Sequence, residues 1–370
     1  MFRKTFVEID LSAIKNNINE MKKHARGGCK VLFPVKANAY GHGMVEVSKF
    51  VEEHKVVDML GVATLDEGIE LRDAGITLPI LVLGLILPEE EYIDVVIDYD
   101  LTQTIADAHL AQKISEIAER RKLPVKLHLN IDTGMGRLGC KSVEAVKIIK
   151  KVILLSSITL EGIYSHFPVS DEKNSEYTER QIAAFSTILR QIRSEGITIP
   201  LIHMANSAGI VFYPHASFDM VRPGIMAYGY LPTPGMSHTI PIQPAMTLKS
   251  SIMFLKRVPK GTPLCYGLTY TTECDATIAT VPIGYGDGYS RFLSNKGKVL
   301  IRNKMYPVVG RVSMDQILVN LGHDEYPLGE EIILFGRDTI TVDTVAEWIG
   351  TISYEVTCAL STRVPRIYRK

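Results

Sequence analysis

Charge excess, long apolar runs and paired cysteines are what this sequence lacks, and each absence closes a class of function. Lysine plus arginine and aspartate plus glutamate both total 41 among 370 residues. A chain so balanced has no cationic footprint with which to grip nucleic acid or an anionic lipid surface. Its longest clean apolar run, Ile80–Leu87, is well short of the roughly 20 residues that a membrane-spanning helix needs. The opening MFRKTFVEID is charged but has no apolar stretch of signal-peptide length, so a cytoplasmic protein is expected. The cysteines, Cys29, Cys140, Cys265, Cys274 and Cys358, are scattered with no C-x-x-C pair and no His/Cys cluster at metal spacing. That argues for reduced thiols and against a disulfide framework or a structural zinc site. No internal repeat or low-complexity tract is present.

What is there is alternation. Eight short apolar runs read as buried strands: VLFPVKA (31–37), MLGVAT (59–64), ILVLG (80–84), LTQTIA (101–106), VKLHLNI (125–131), LEGIYSHF (160–167), LIHMANS (201–207) and MVRPGIMAYG (220–229). Continuous apolar runs suit parallel strands covered on both faces. Amphipathic stretches separate them; in YTERQIAAFSTILRQIRSEG, Ile182, Phe185, Ile188, Leu189 and Ile192 recur at three- and four-residue steps, as one buried helical stripe requires. Eight strand–helix units predict an α/β architecture, a (β/α)8 TIM-like barrel over 10–235, although an open doubly wound sheet would alternate in the same way. From 236 to 370 the texture becomes β-rich and punctuated by Gly and Pro, as in ATIATVPIGY and KVLIRNKMYPVVG. A second domain is expected there, with residues 1–9 joining it.

A parallel barrel places its active site where the strands end. The predicted ends carry Lys36, then Arg137 in DTGMGRLG, His166, Asn206 with Ser207, and Arg222 followed by Gly224 and Ile225. The loops after strands seven and eight commonly bind phosphate in such barrels. Here they offer a hydroxyl and glycine-rich backbone amides. A lysine desolvated at a strand end has a lowered pKa and becomes a nucleophilic, Schiff-base-forming amine. Together these residues suit pyridoxal phosphate (PLP). Singly, each has a plainer reading: Lys36 a solvated charge, Arg222 a structural ion-pair partner, His166 a satisfied core histidine, Ser207 a helix N-cap. Gly134–Gly139 spells G-x-G-x-x-G, but the acid in the following strand, Glu161, stands at that strand's beginning rather than its end, against a dinucleotide site.

Nine segments in order resemble the alanine racemases: VKANAYGHG (35–43), DTGMGRLG (132–139), SHF (165–167), ANSAG (205–209), VRPGIMAYG (221–229), CYGLTYTT (265–272), PIGYGDGY (282–289), GRVSMDQ (310–316) and ISYEV (352–356). The resemblance implies a PLP-dependent isomerase that interconverts L- and D-alanine, supplying D-alanine for peptidoglycan. It also implies a homodimer whose active sites are each built from both chains. On that basis Lys36 would carry PLP, while Tyr40, Ser207, Gly224, Ile225 and Tyr354 would hold its phosphate beside Asn206. Arg222 would face the pyridine nitrogen and Arg137 the phenolic oxygen, with His166 nearby. From the partner would come Tyr266 as second acid–base residue, and Tyr285, Met314 and Asp315 at the substrate entrance; Arg137 would also meet substrate.

Racemisation removes a proton from one face of Cα and delivers one to the other, which two bases, Lys36 and Tyr266, accomplish simply. A free tyrosine titrates near pH 10, so Tyr266 would need help, from His166 or nearby positive charge. Arginine, effectively always protonated, at position 222 disfavours a proton on the pyridine nitrogen and so limits side reactions. Asn130 departs from the family, where a lysine is common, and leaves the bracing of Arg137 open, an amide hydrogen bond or a bound anion being alternatives. The rival readings are a serine or broader small-amino-acid racemase, a barrel-type decarboxylase, and a non-catalytic PLP-binding protein. Bulky Tyr354 favours alanine mildly, and the second domain argues against a pure binder.

Overall fold

A computed structural model describes residues 3–233, Met236 and 240–370. All eight apolar runs form strands: Lys30–Pro34, Met59–Val62, Ile80–Val82, Thr102–Ile105, Val125–Asp132, Ile158–Tyr164, Leu201–Asn206 and Met220–Arg222. Each runs parallel to its neighbours, and the ring closes where Met220 and Val221 pair with Lys30 and Val31. That closure decides for a barrel over the open sheet. A short extra strand, Cys140–Lys141, lies parallel to Ile131 and Asp132 outside the ring.

Helices cover the outer face and bury the stripes that their spacing predicts. Glu176–Ser194 buries Ile182, Phe185, Ile188, Leu189 and Ile192, and Ser175 caps it by accepting from the Thr178 amide. The barrel interior divides in two. Leu32, Met59, Leu81, Leu201 and Met220 form an apolar cluster of their own, whereas strands four to seven send Gln103, His128, Tyr164 and His203 into buried positions.

All but the fifth of the runs stop short of their predicted ends, the first and the eighth with consequences for the site. The first strand stops at Pro34, and Lys36 begins a turn instead of extending the strand. The eighth stops at Arg222, because Pro223 has no amide to give a ladder; a 3-10 turn, Ile225–Tyr228, follows.

The β-rich part is a separate sheet. Phe6–Asp10 lies in it, antiparallel to Met246–Ser251 and parallel to Arg366–Arg369. Asp10 then caps the helix Leu11–His24, its carboxylate accepting from the Ala13 amide at 2.8 Å. The chain so passes from one sheet straight into the other's helical layer. DTVAEWIG supplies the helix Val342–Ile349. The expected domain boundary at 235/236 touches residue 235, which lies outside the described residues.

Candidate functional site

Lys36 opens a turn of unusual backbone. Ala37, Asn38, Ala39 and Tyr40 all have φ between 52° and 55°, a left-handed run that costs an L-residue chain about 1–2 kcal/mol per residue. The surroundings hold it there. Glu67 accepts from the Ala37 and Ala63 amides, each at 2.6 Å. Asn38 Oδ1 accepts from the Met44 amide at 2.8 Å, and His42 Nδ1 lies 3.0 and 2.9 Å from the Ala39 and Tyr40 carbonyls. The consequence is a lysine turned out of the strand and into the barrel mouth. Burial lowers its pKa, with Arg137 and Arg222 adding to the effect and Glu67 opposing it.

Arg222 is buried at the end of strand eight, and among the described residues it has no carboxylate partner. Its Nη2 donates to the Ser165 and Met204 carbonyls at 2.6 and 3.0 Å and lies 3.3 Å from His166 Nδ1. Its Nη1 donates to His203 Nδ1 at 2.7 Å, and the guanidinium stands 5.3 Å from the centre of the Tyr164 ring. Burial brings the Arg222 pKa down to about 10, which still leaves it charged at neutral pH. Beside it, burial and the charges of Arg222, Arg137 and Lys36 push His166 down to about 3. His166 is therefore neutral. A neutral imidazole offers a neighbouring phenol a hydrogen-bonding ring and no charge of its own.

Arg137 is exposed, in the loop after strand five. Asp132 folds this loop, accepting from the Gly134 and Gly136 amides at 2.8 and 3.1 Å. The strand Cys140–Lys141, not a helix, comes next, so the G-x-G-x-x-G here has no dinucleotide geometry. Asn130 is buried beneath the loop: a Cβ at Gly139 would lie 3.2 Å from its Oδ1.

Strands seven and eight form a small cradle. Ser207 is not the N-cap of the helix Ser207–Phe212. Asn206 is, accepting from the Gly209 amide at 3.0 Å. This leaves the Ser207 hydroxyl free to cross to the next loop, where it accepts from the Gly224 amide at 2.8 Å. A side chain at 224 would close the cradle, since a Cβ there would come within 3.3 Å of the Tyr40 hydroxyl and 3.6 Å of Ser207 Oγ. Ile225 continues the wall. Tyr354 packs beside Tyr40 with ring centres 6.0 Å apart. Burial pushes both phenols up, so they remain donors.

The remaining predicted residues gather elsewhere. Tyr266, Tyr285, Met314 and Asp315 line a cavity of about 540 Å³ with Arg291 and Arg311. Tyr266 is 72% exposed. Asp315 accepts from Arg363 at 2.6 Å. Among the described residues, no hydrogen bond or ion pair joins this group to the barrel mouth. Sequence reasoning passed over Glu67, Tyr164 and His203, which only the folded arrangement brings to the site. The faint signal for Tyr164 and His203 was their place on the same strands as His166 and Asn206.

A concentration of fixed cations, protonated hydroxyls and backbone amides, with the one nearby carboxylate, Glu67, already taken up by the Ala37 and Ala63 amides, fits an anionic, phosphate-bearing aromatic group such as PLP. Among the described residues no cluster of acidic, His or Cys side chains could hold a metal ion, and no helix is long and apolar enough to cross a membrane.

Comparison with known proteins agrees along the whole chain. Residues 9–232 match the family model "Alanine racemase, N-terminal domain" and 245–368 "Alanine racemase, C-terminal domain". An alanine racemase of Desulforamulus reducens is 43% identical over 98% of each chain. The solved alanine racemase of Clostridium difficile 630 superposes with a TM-score of 0.95 at 41% identity, over 100% of this chain and 96% of that one. One from Bacillus anthracis, with bound L-Ala-P, gives 0.92 at 37%, over 100% and 96%.

Proposed function

The chain belongs to the alanine racemase family, and from that premise we propose that it is a PLP-dependent isomerase interconverting L- and D-alanine by two bases, Lys36 and Tyr266 of the partner subunit. The observation that carries this reading is the barrel mouth itself. Lys36, Arg137 and Arg222 surround a neutral His166, next to a cradle of Ser207, Gly224 and Tyr40.

Tyr40, Ser207, Gly224, Ile225 and Tyr354 would hold the phosphate, Asn206 would set the helix behind it, and Lys36 would carry the carbonyl end. Bound there, PLP supplies an electron-withdrawing ring that acidifies the substrate Cα–H. The protein's part is placement and proton handling. Arg222 would present a permanent donor to the ring nitrogen and so disfavour a proton on it. A lysine whose pKa burial lowers gives up its proton more readily than an exposed one, as a base needs. Arg137 would meet the phenolic oxygen and the substrate carboxylate.

Tyr266 would supply the opposite proton from a second copy, with Tyr285, Met314 and Asp315 shaping the entrance. Two observations support a shared site. Tyr266 lines a cavity to which Lys36 does not contribute, and Met314 in that cavity and Leu268 two residues on are exposed apolar side chains, as a surface awaiting a partner would have. A homodimer of cytoplasmic subunits, each with a barrel at 10–235 and a β-domain at 236–370 joined by residues 1–9, completes the reading, with D-alanine destined for peptidoglycan.

Purified protein given PLP and L-alanine, with L-serine in parallel, is the direct test by chiral chromatography. Rapid approach to equal D- and L-alanine, with serine much slower, is the expected result. Tight PLP binding with no D-amino acid in either reaction would replace the racemase with a binding protein.

A further inference from the structure

Behind Arg222 a chain of buried groups runs across the barrel to the face where the strands begin. His203 Nδ1 accepts from Arg222 Nη1 at 2.7 Å. His203 Nε2 lies 2.9 Å from His128 Nδ1, and His128 Nε2 lies 3.3 Å from Glu161 Oε2. We infer that Glu161, acting through His128 and His203, is a positioning residue for Arg222. The inference rests on the reading of Arg222 as the partner of the PLP ring nitrogen.

The order of donors follows from the chemistry of each group. Arginine can only donate, so His203 Nδ1 must be bare and its proton must sit on Nε2. That proton fills the space between the two imidazoles, so His128 Nδ1 must be bare as well. The His128 proton then sits on Nε2, facing a carboxylate that accepts it. Every bond is satisfied in one direction only, from a fixed cation at the mouth to an anion at the floor. Both imidazoles are wholly buried, and burial pushes each down toward the neutral form. Replacing the terminal acceptor by an apolar side chain leaves the His128 Nε2–H without a partner, and the chain is then held in order from the Arg222 end alone.

The barrel is built around this chain. Pairing between strands five and six slips by one residue: Leu127 faces Leu160, but His128 faces Gly162. Glu161 is the extra residue, and such a slip re-aims a side chain. Gly162 leaves the space that the imidazole needs, since a Cβ there would sit 2.5 Å from His128 ring atoms. Glu161 also lines an open groove with Arg26, Lys30 and Asp219, on the far side of the barrel from the mouth.

The test uses full-length protein without and with PLP. In the apoprotein, 15N spectra of the imidazoles should show His128 and His203 as Nε2–H tautomers. Glu161→Gln, whose amide oxygen still accepts, should keep them with wild-type shifts, whereas Glu161→Leu should move the His128 Nε2–H resonance away from its hydrogen-bonded position and speed its exchange with solvent. In the holoenzyme, Glu161→Leu should shift the visible absorption of bound PLP. It should also lower kcat roughly tenfold, about the effect of losing one hydrogen bond to a charged group, with KM nearly unchanged; Glu161→Asp should restore both. A wild-type His203 proton on Nδ1 would overturn the inference, and so would a Glu161→Leu protein with the wild-type His128 Nε2–H resonance and cofactor spectrum. If the chain bound no PLP, the reading of Arg222 would fail on its own, while the tautomers would still report on the relay.

Discussion

The barrel mouth and the cavity around Tyr266 hold the two halves of the proposed chemistry, and they are built in opposite ways. Arg222 is 4% exposed and donates to His203, Ser165 and Met204. Lys36 leaves a left-handed turn held by Glu67, Asn38 and His42. Tyr266, by contrast, is 72% exposed and its neighbour Leu268 63%. A cofactor needs a site finished before it arrives, because disorder there would be removed at the expense of affinity. A residue that acts on a second copy must instead stay at the surface until that copy comes. The difference in burial is thus what a site shared between two chains predicts of each chain alone.

The largest effects should break the two halves separately. Lys36→Ala should lower alanine racemisation by roughly 10⁴-fold or more, and Tyr266→Phe by about 10²–10⁴-fold, the range for a positioned acid–base group. Tyr266→Phe should still bind PLP and still exchange the Cα proton of one enantiomer with solvent, through Lys36. Unfolding the two inactive variants together and refolding them as mixed dimers is the sharper experiment. One site in each mixed dimer would regain both bases, so about a quarter of wild-type activity should return. A mixture that stays inactive while mixed dimers are present would place both bases in one chain.

Arg222→Ala is the next largest effect, on stability. It strands the Ser165 and Met204 carbonyls and the His203 ring in a buried setting. A loss on the order of 3 kcal/mol in the apoprotein is expected from unpaired buried groups of this kind, measured by urea melts. Alanine in place of exposed Arg311, beside the other cavity, should change stability by less than about 0.5 kcal/mol. Equal effects would contradict the division between a finished and an open half.

The alternation of apolar runs made the barrel readable from sequence, because strands covered on both faces cannot hide their composition. The strand ends made most of the mouth readable too: Lys36, His166, Ser207 and Arg222 all stand where the runs stop. What could not be read is what depends on three-dimensional detail. Nothing local marks Ala37–Tyr40 as left-handed, since the cost is borne by contacts from residues as distant as Glu67. Asn206 and Ser207 are both good caps, and only packing decides that Asn206 takes the role while Ser207 reaches Gly224. The resemblance supplied Tyr266, which composition and spacing alone would have left as one exposed tyrosine among 16.

Acid should find the barrel before it finds the β-domain. His42 is pushed down to about 4 and His166 to about 3, burial being the first cause in each, and burial lowers His128 and His203 likewise. All four are in the barrel part. In the unfolded chain each titrates near 6.5, so below that pH the unfolded state binds more protons and stability falls as pH falls. The stabilisation is complete above about 6.5 and drains away toward about 4 for His42 and about 3 for His166. By about pH 5 each fully depressed imidazole should cost on the order of 2 kcal/mol. Melting curves of the apoprotein between neutral pH and about 4.5 should slide steeply downward, with barrel amides losing hydrogen-exchange protection first. A flat profile would mean that these histidines are not held neutral.

The finest comparison deletes one hydroxyl from each half. Tyr228 is fully buried and donates to the Pro34 carbonyl at 2.9 Å, directly under the turn that carries Lys36. Tyr228→Phe leaves that carbonyl unpaired in an apolar setting and should cost about 1–2 kcal/mol. It should also loosen the Lys36 turn enough to weaken PLP retention on gel filtration. Tyr266→Phe removes the same atoms from a solvated ring and should leave the Tm of the dissociated, apo chain unchanged within error, while nearly abolishing turnover. Stability and catalysis would then be exchanged between two otherwise identical substitutions. If Tyr266→Phe destabilised the isolated chain as much as Tyr228→Phe, its hydroxyl would be a structural bond within one subunit and not a group held ready for another.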